Sequence, residues 1–463
     1  MEAIENRTFD EIQVGESASI QRRLTCDDIK LFAAMSGDVN PAHMDEEYAD
    51  NSMFQGIIAH GMWGGSLVST VLGTKLPGPG TIYLGQSFKF HRPVRLGDIV
   101  TVTVTAKEKN VDKHHVLFDC ECTNEACDIV ISGTAEVIAP NEKISRPRVR
   151  LPEVRLHERL HLHRLMDAAK QRPAIATAVV HPVERTALLG AIGAATTGLI
   201  DPVLIGPERK IKSVADAEDI DITHYKLIGT EHSHAAAQTA VAMAANSEVQ
   251  SIMKGALHTD ELMHAVLDRS AGLRTERRVS HIFAFDVPTY PRPLFITDAA
   301  ININPDLDDL HDIVQNAIDL AHALQVEKPK VALLSAVETV TPRLESTLRA
   351  AALCKMADRG QIQGALLDGP LAFDNAVSTV AANIKGIDSE VAGEADILVV
   401  PDLESGNMLA KQLEYLADAE GAGIVLGARV PIILTSRADD TVSRMASCAL
   451  ALLWAQRTDE LRT

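Results

Sequence analysis

The sequence contains no apolar run long enough to cross a bilayer. The best candidate, Ala187 to Ile200, is short, broken by glycine and threonine, and closed by Asp201-Pro202. The first residues, MEAIENRTFDEI, are acidic and carry no apolar signal region. Cysteine is scarce as well: six in 463 residues give no secreted disulfide framework. These absences point to a cytoplasmic protein with no membrane partner. Positive charge is also in deficit, with 44 lysines and arginines against 63 aspartates and glutamates, a formal charge of −19. A surface of that sign repels nucleic acid and anionic membranes, so any polyanionic ligand needs a local basic pocket. No Walker A sequence and no Gly-x-Gly-x-x-Gly fingerprint occurs, and the usual nucleotide cradles are not indicated.

What is present is a globular composition, 46% hydrophobic and 23% charged, in a chain too long for one ordinary core. It falls into two rhythms. Between Ile82 and Val137 apolar residues alternate with polar ones. Ile82, Leu84, Phe88 and Phe90 share a face, as do Val100, Val102 and Val104. Val116, Phe118, Cys120 and Cys122 do so again, and then Ile131, Gly133, Ala135 and Val137. Such alternation predicts half-buried antiparallel strands. Helices are expected ahead of them at about residues 27–35 and 61–72. The small residues Gly64, Gly65, Ser66 and Ser69 of the second would let a sheet wrap closely around it. Residues 1–140 thus read as one α+β domain. Residues 141–156, with Pro147 and Pro152 among basic residues, read as a linker.

From residue 157 to 463 short apolar runs alternate with helical patterns. Runs at Ala174–Val180, Val203–Gly206, Ser251–Met253, Leu294–Ile296, Lys330–Leu334, Gly364–Leu367, Ile397–Val400 and Pro431–Leu434 read as strands covered on both faces. The half is α/β, and its size suggests two subdomains with a cleft.

In the first half, SGDVNPAHMD (Ser36 to Asp45) brings a carboxylate, Asp38, and an imidazole, His43, onto one tight turn. Asn40-Pro41 fits a helix cap followed by proline at the first helical position. Such a pair can position and deprotonate water. The plainer alternative makes these residues turn and cap only. With IIAHGMWGGSLVS (Ile57–Ser69) and LPGPGTIYLGQSFKFHRPV (Leu76–Val94), the block resembles the MaoC-like, or (R)-specific enoyl-CoA hydratase, family over residues 10–138. That resemblance implies a hot-dog fold, usually dimeric. It also implies water activation by Asp38 and His43, a thioester oxygen held by the Gly61 amide, and Ser69 near the pair. A second reading makes this module a non-catalytic acyl-CoA-binding or dimerisation element.

In open α/β sheets ligands gather at the carboxyl ends of strands. The loops following the runs above supply Lys254, His258 and Thr259 in KGALHTDEL, Asp368 and Asn375 in DGPLAFDNA, and Asp402, Ser405 and Asn407 in PDLESGN. TSRADD adds Thr435, Ser436, Arg437 and Asp439, and GLRTERRVSH adds Arg274, Arg277 and Arg278. Hydroxyls and arginines in an acidic chain suit a phosphate-bearing ligand. With TDAAINI and GIVLGARVPIILTSRADD, these blocks resemble the phosphate acetyl/butyryltransferase family across residues 160–460. The resemblance implies reversible acyl transfer between coenzyme A and phosphate in a cleft between two α/β subdomains. Arg437 would neutralise the phosphate and Ser436 would hydrogen-bond the oxyanion or sulfur. Asp439 is the candidate base, although the acetyl branch places its own base at a position that is not aspartate here. Arg274 and Arg277 are candidate coenzyme A phosphate contacts on charge grounds. The DGPLAFDNA and GNML wording is nearer the butyryl branch.

The expectation is therefore a bifunctional acyl-CoA enzyme with no permanently bound cofactor and no metal. Coenzyme A thioesters and phosphate are its substrates, and it forms a homo-oligomer, dimer or higher. Cys120, Cys122 and Cys127 suggest zinc only superficially, because the first two share a strand face and no fourth ligand is near. His157, His161 and His163 read as surface or linker residues, and Trp63 and Trp454 as core.

Overall fold

A computed structural model describes residues 3–149, 151, 154, 156, 160–435 and 440–462. The chain divides into two compact units, Met1–Leu156 and His157–Thr463.

The first unit is a hot-dog domain. Five antiparallel strands lie in the order Ser17–Arg23, Ile99–Asn110, His115–Thr123, Ile129–Ile138 and Ile82–Phe90. The helix Gly61–Thr74 buries Trp63, Gly64, Gly65, Val68, Val71 and Leu72, and Trp63, Val68, Val71 and Leu72 join the inward-facing Val100, Val102, Val104, Phe118 and Cys122 in one core. Its glycines work as expected. A Cβ added at Gly64 would lie 2.3 Å from the Ile131 side chain, so helix and sheet approach as closely as they do only without one. The strand Ser17–Arg23 was not legible, because its residues are half-buried or exposed and mostly polar.

The proline-bearing segment read as a linker starts differently. Ser145–Pro147 pairs antiparallel with Ala3–Glu5. The buried Asn6 side chain fixes the approach, donating to the Glu142 carbonyl at 2.8 Å and accepting from the Ile144 amide at 2.9 Å. Backbone groups that a linker leaves to water are satisfied here by the N-terminal strand.

The second unit is built on one mixed sheet of eleven strands. All eight apolar runs appear in it. Lys226–Gly229, Ile200–Gly206, Ile175–Val180, Ser251–Lys254 and Ile432–Ile433 form one parallel block. Leu294–Thr297, Ile397–Val399, Lys330–Leu334 and Leu366–Leu371 form another. Ser280–Asp286 and Glu420–Leu426, unanticipated, join the blocks by antiparallel pairing. Following these registers, the two parallel blocks run in opposite directions. Among the described residues no helix is long and apolar enough to cross a membrane.

Candidate active sites

The Asp38 turn is assembled from the caps around it. Thr25 and Asp28 close a capping box on the helix Cys26–Ser36, and Gly37, at φ 76°, ends it in the left-handed region that glycine adopts freely. The Asp38 amide donates to Ser36 Oγ at 3.2 Å, and Asp38 Oδ1 accepts from the Asn40 amide at 3.2 Å. Asn40 then caps Pro41–Met44, accepting from the Ala42 amide at 3.1 Å. This short helix carries His43.

Two backbone carbonyls orient the imidazoles. His43 Nδ1 lies 2.9 Å from the Ile58 carbonyl, and His60 Nε2 lies 2.9 Å from the Asp38 carbonyl. A carbonyl only accepts, so each of these nitrogens carries a hydrogen and the opposite nitrogen of a neutral ring is an acceptor. The ring centroids are 4.0 Å apart and tilted by 35°, and the Phe32 ring lies 4.9 Å from His60. Donor atoms of Asp38, His43 and His60 all lie within 4.8 Å of one another. They are the one such set that could hold a metal ion among the described residues. One carboxylate and two imidazoles is a donor set suited to zinc-like ions. Asp38 is exposed, His43 half-buried and His60 buried.

Gly61 is the first residue of its helix, and the preceding His60 makes no side-chain cap, so the helix start offers amide donors near the pair. Ser69 is exposed two turns along that helix, and no hydrogen bond joins it to Asp38 or His43 among the described residues. His60 was not singled out from sequence, although it directly precedes Gly61 in IIAHGM.

In the second unit the strand-end loops separate into two sets, because the parallel blocks run in opposite directions. Lys254 ends a strand of one block, opposite Val180, and Thr435 follows the Ile432–Ile433 strand alongside it. Asp298, Asn375 and Asp402 follow the other. Ser436, Arg437 and Asp439 lie outside the described residues. The two sets meet at the middle strands. There the His281 ring donates to the Leu434 carbonyl, and Asp298 accepts from the His281 amide.

Asp298 is buried, and burial pushes its carboxyl up against the pull of several N–H donors. It accepts from the amides of Ala300, Ile301 and Asn302 and from Asn302 Nδ2 at 2.6 Å. Asn302 Oδ1 in turn accepts from Arg278 Nε at 2.7 Å, which links that arginine to the buried carboxyl. Asp298 lies in TDAAINI, but only its place in the resemblance marked it. Thr435 is buried and accepts from Arg444 Nη1 at 2.8 Å.

The remaining expected residues are dispersed. Arg277 is paired with Asp319. Arg274 is exposed, and its backbone forms an isolated bridge to Ala428. His258 is exposed at the start of the helix Thr259–Leu267 without capping it through its side chain. Asn407 is exposed and donates to the Ala299 carbonyl at 3.3 Å, which places it beside Asp298. Cys120 and Cys122 are buried in the first core, as expected for packing residues.

Comparison with known proteins divides along the same line. The Phosphate acetyl/butaryl transferase family model matches residues 230–452, and the MaoC like domain model matches residues 11–125. A phosphate acetyltransferase of Rickettsia prowazekii is 62% identical over 292 residues, 63% of this chain and 83% of that protein. A phosphate butyryltransferase of Clostridium acetobutylicum is 40% identical over 285 residues, 62% of this chain and 93% of that protein. The solved R-hydratase of Pseudomonas aeruginosa is 42% identical, with a TM-score of 0.33, covering 34% of this chain and 99% of its own. The chain belongs to the phosphate acetyl/butyryltransferase family and carries a MaoC-like domain in its N-terminal part.

Proposed function

We propose that the chain has two activities on acyl-CoA thioesters. The second unit exchanges coenzyme A for phosphate, with acetyl as its favoured acyl group. The first unit hydrates trans-2-enoyl-CoA to the (R)-3-hydroxyacyl thioester. The acetyl assignment is supported by 62% identity to an acetyltransferase against 40% to a butyryltransferase, and it outweighs the butyryl-like wording of two loops. A methylene or two in an apolar pocket changes selectivity by only about 1–3 kcal/mol, so longer acyl groups should still react slowly.

The hydratase reading rests on the convergence of Asp38, His43 and His60 within 4.8 Å, with both imidazole orientations set by backbone carbonyls. Water held there attacks C3 of the enoyl thioester while a proton is delivered to C2. Negative charge developing on the thioester oxygen is met by the Gly61 amide at the helix start. In the transferase, phosphate attacks the thioester carbonyl and the coenzyme A thiolate leaves. Arg437 and Ser436 are proposed to hold the phosphate and the oxyanion, with Asp439 taking the proton when the reaction runs from free thiol.

The test uses crotonyl-CoA alone and, separately, acetyl-CoA with phosphate. Loss of enoyl-thioester absorbance reports hydration, and thiol release reports phosphorolysis. Asp38→Asn should lower hydration by about 10²–10⁴ and leave thiol release unchanged. Thiol release without hydration by the unaltered chain would instead make the first unit an acyl-CoA-binding element.

A further inference from the structure

We propose that His60 is a third catalytic residue of the hydratase site, its Nδ1 accepting a hydrogen bond from the water that Asp38 activates. The proposal rests on the hydratase reading of the first unit. His60 is 2% exposed, and its Nε2 hydrogen is committed to the Asp38 carbonyl at 2.9 Å. Its Nδ1 is buried and has no hydrogen-bond partner. A buried acceptor left unpaired is costly, and nearly all such groups in folded proteins find a partner. Here the ring lies against both Phe32 and His43, in a cluster with one donor atom each from Asp38, His43 and His60 within 4.8 Å of one another. The partner that Nδ1 lacks is a small donor beside this cluster, and water is the one the reaction supplies.

Counting hydrogens limits the roles. Water brings two, whereas Asp38, His60 Nδ1 and His43 Nε2 offer three acceptors when both rings are neutral. In the productive arrangement water donates to Asp38 and His60, and His43 Nε2 carries the additional proton. The water oxygen then bonds to C3 as one of its hydrogens passes to Asp38. The π electrons of the C2–C3 bond move toward the thioester oxygen, and His43 delivers its Nε2 proton to C2. The proton on Asp38 returns to His43. The net change is addition of one water, and the hydrogen held by His60 remains on the product hydroxyl. With that hydrogen fixed, one oxygen lone pair faces C3, which is the orientation addition requires.

The roles of the two His60 nitrogens separate by substitution. In His60→Gln the carboxamide nitrogen can still donate to the Asp38 carbonyl, but nothing replaces the Nδ1 acceptor. We expect kcat for crotonyl-CoA hydration to fall about 100-fold with KM nearly unchanged, and phosphate-dependent thiol release to stay at the level of the unaltered chain. His60→Asn returns an acceptor oxygen near the Nδ1 position and should recover about tenfold of that loss. A His60→Gln protein that is folded and hydrates at the unaltered rate overturns the proposal while leaving the hydratase reading intact. Absence of hydration by the unaltered chain overturns that reading and the proposal with it. Hydration abolished by EDTA and restored by zinc also overturns the proposal, because Nδ1 would then be a metal ligand.

Discussion

A methyl group at Gly133 would sit 1.9 Å from the Ser87 carbonyl oxygen and 2.8 Å from the Phe88 ring. Neither neighbour is the loose end of a flexible chain, since Ser87 and Phe88 belong to the strand paired with Gly133. Overpacking of this kind costs about 1–3 kcal/mol and more when backbone must move. Gly133→Ala should therefore lower the melting temperature of the first unit by several degrees at least, as read by calorimetry on the whole chain. The cysteines give a second residue-level expectation. Burial pushes the thiols of Cys120, Cys122, Cys354 and Cys448 up to about 12, whereas Cys26 and Cys127 are exposed. Thiolate is the reactive form. A thiol reagent at pH 8 should label Cys26 and Cys127 rapidly in the native protein, and the other four only after denaturation.

The strand Ser280–Asp286 shows what an element can do that its residues do not announce. It reverses chain direction within the sheet and buries His281, whose pKa falls from 6.5 to about 3 because the charged ring is desolvated there. An unfolded chain therefore binds a proton at this histidine from about pH 6.5 downward, while the folded chain does not. Stability is full above that range and falls with pH at up to about 1.4 kcal/mol per unit as far as pH 3. Denaturant midpoints of the second unit measured between pH 7 and pH 4 should fall less steeply in His281→Gln, and equal slopes would refute the assignment. This strand and its neighbour Glu420–Leu426 were among those missed from sequence. Their apolar residues are punctuated by His281 and by Gly421 and Gly423, which blurs the continuous pattern that made Ile175–Val180 or Lys330–Leu334 readable. Missing them hid the opposed directions of the two parallel blocks. For that reason a rule that reads strand-end loops one by one mixed two sets of residues that come from oppositely directed strands. The Asp38–His43 turn was legible because its geometry is local: glycine, cap and proline lie within six residues. His60 joins it through a contact 22 residues away, which spacing does not reveal.

For the whole molecule, the two units have separate hydrophobic cores. The first gathers around Val102, Phe118 and Trp63, and the largest of the second around Leu188, Phe295 and Ile318. Cores without shared members unfold as separate cooperative transitions unless something else couples them. This gives a physical route to test whether the two proposed activities belong to two sites. Substitutions that strike one core should shift one transition, and the activity lost on heating should follow it. In Gly133→Ala, hydration should disappear at a temperature where phosphate-dependent thiol release is still at the level of the unaltered chain. The converse should hold for a cavity-forming change such as Leu188→Ala, which removes a fully buried side chain of the second unit at a cost of about 2–5 kcal/mol. Simultaneous loss of both activities in either variant would mean that the units fold as one, and the assignment of each reaction to its own unit would then need active-site substitutions alone.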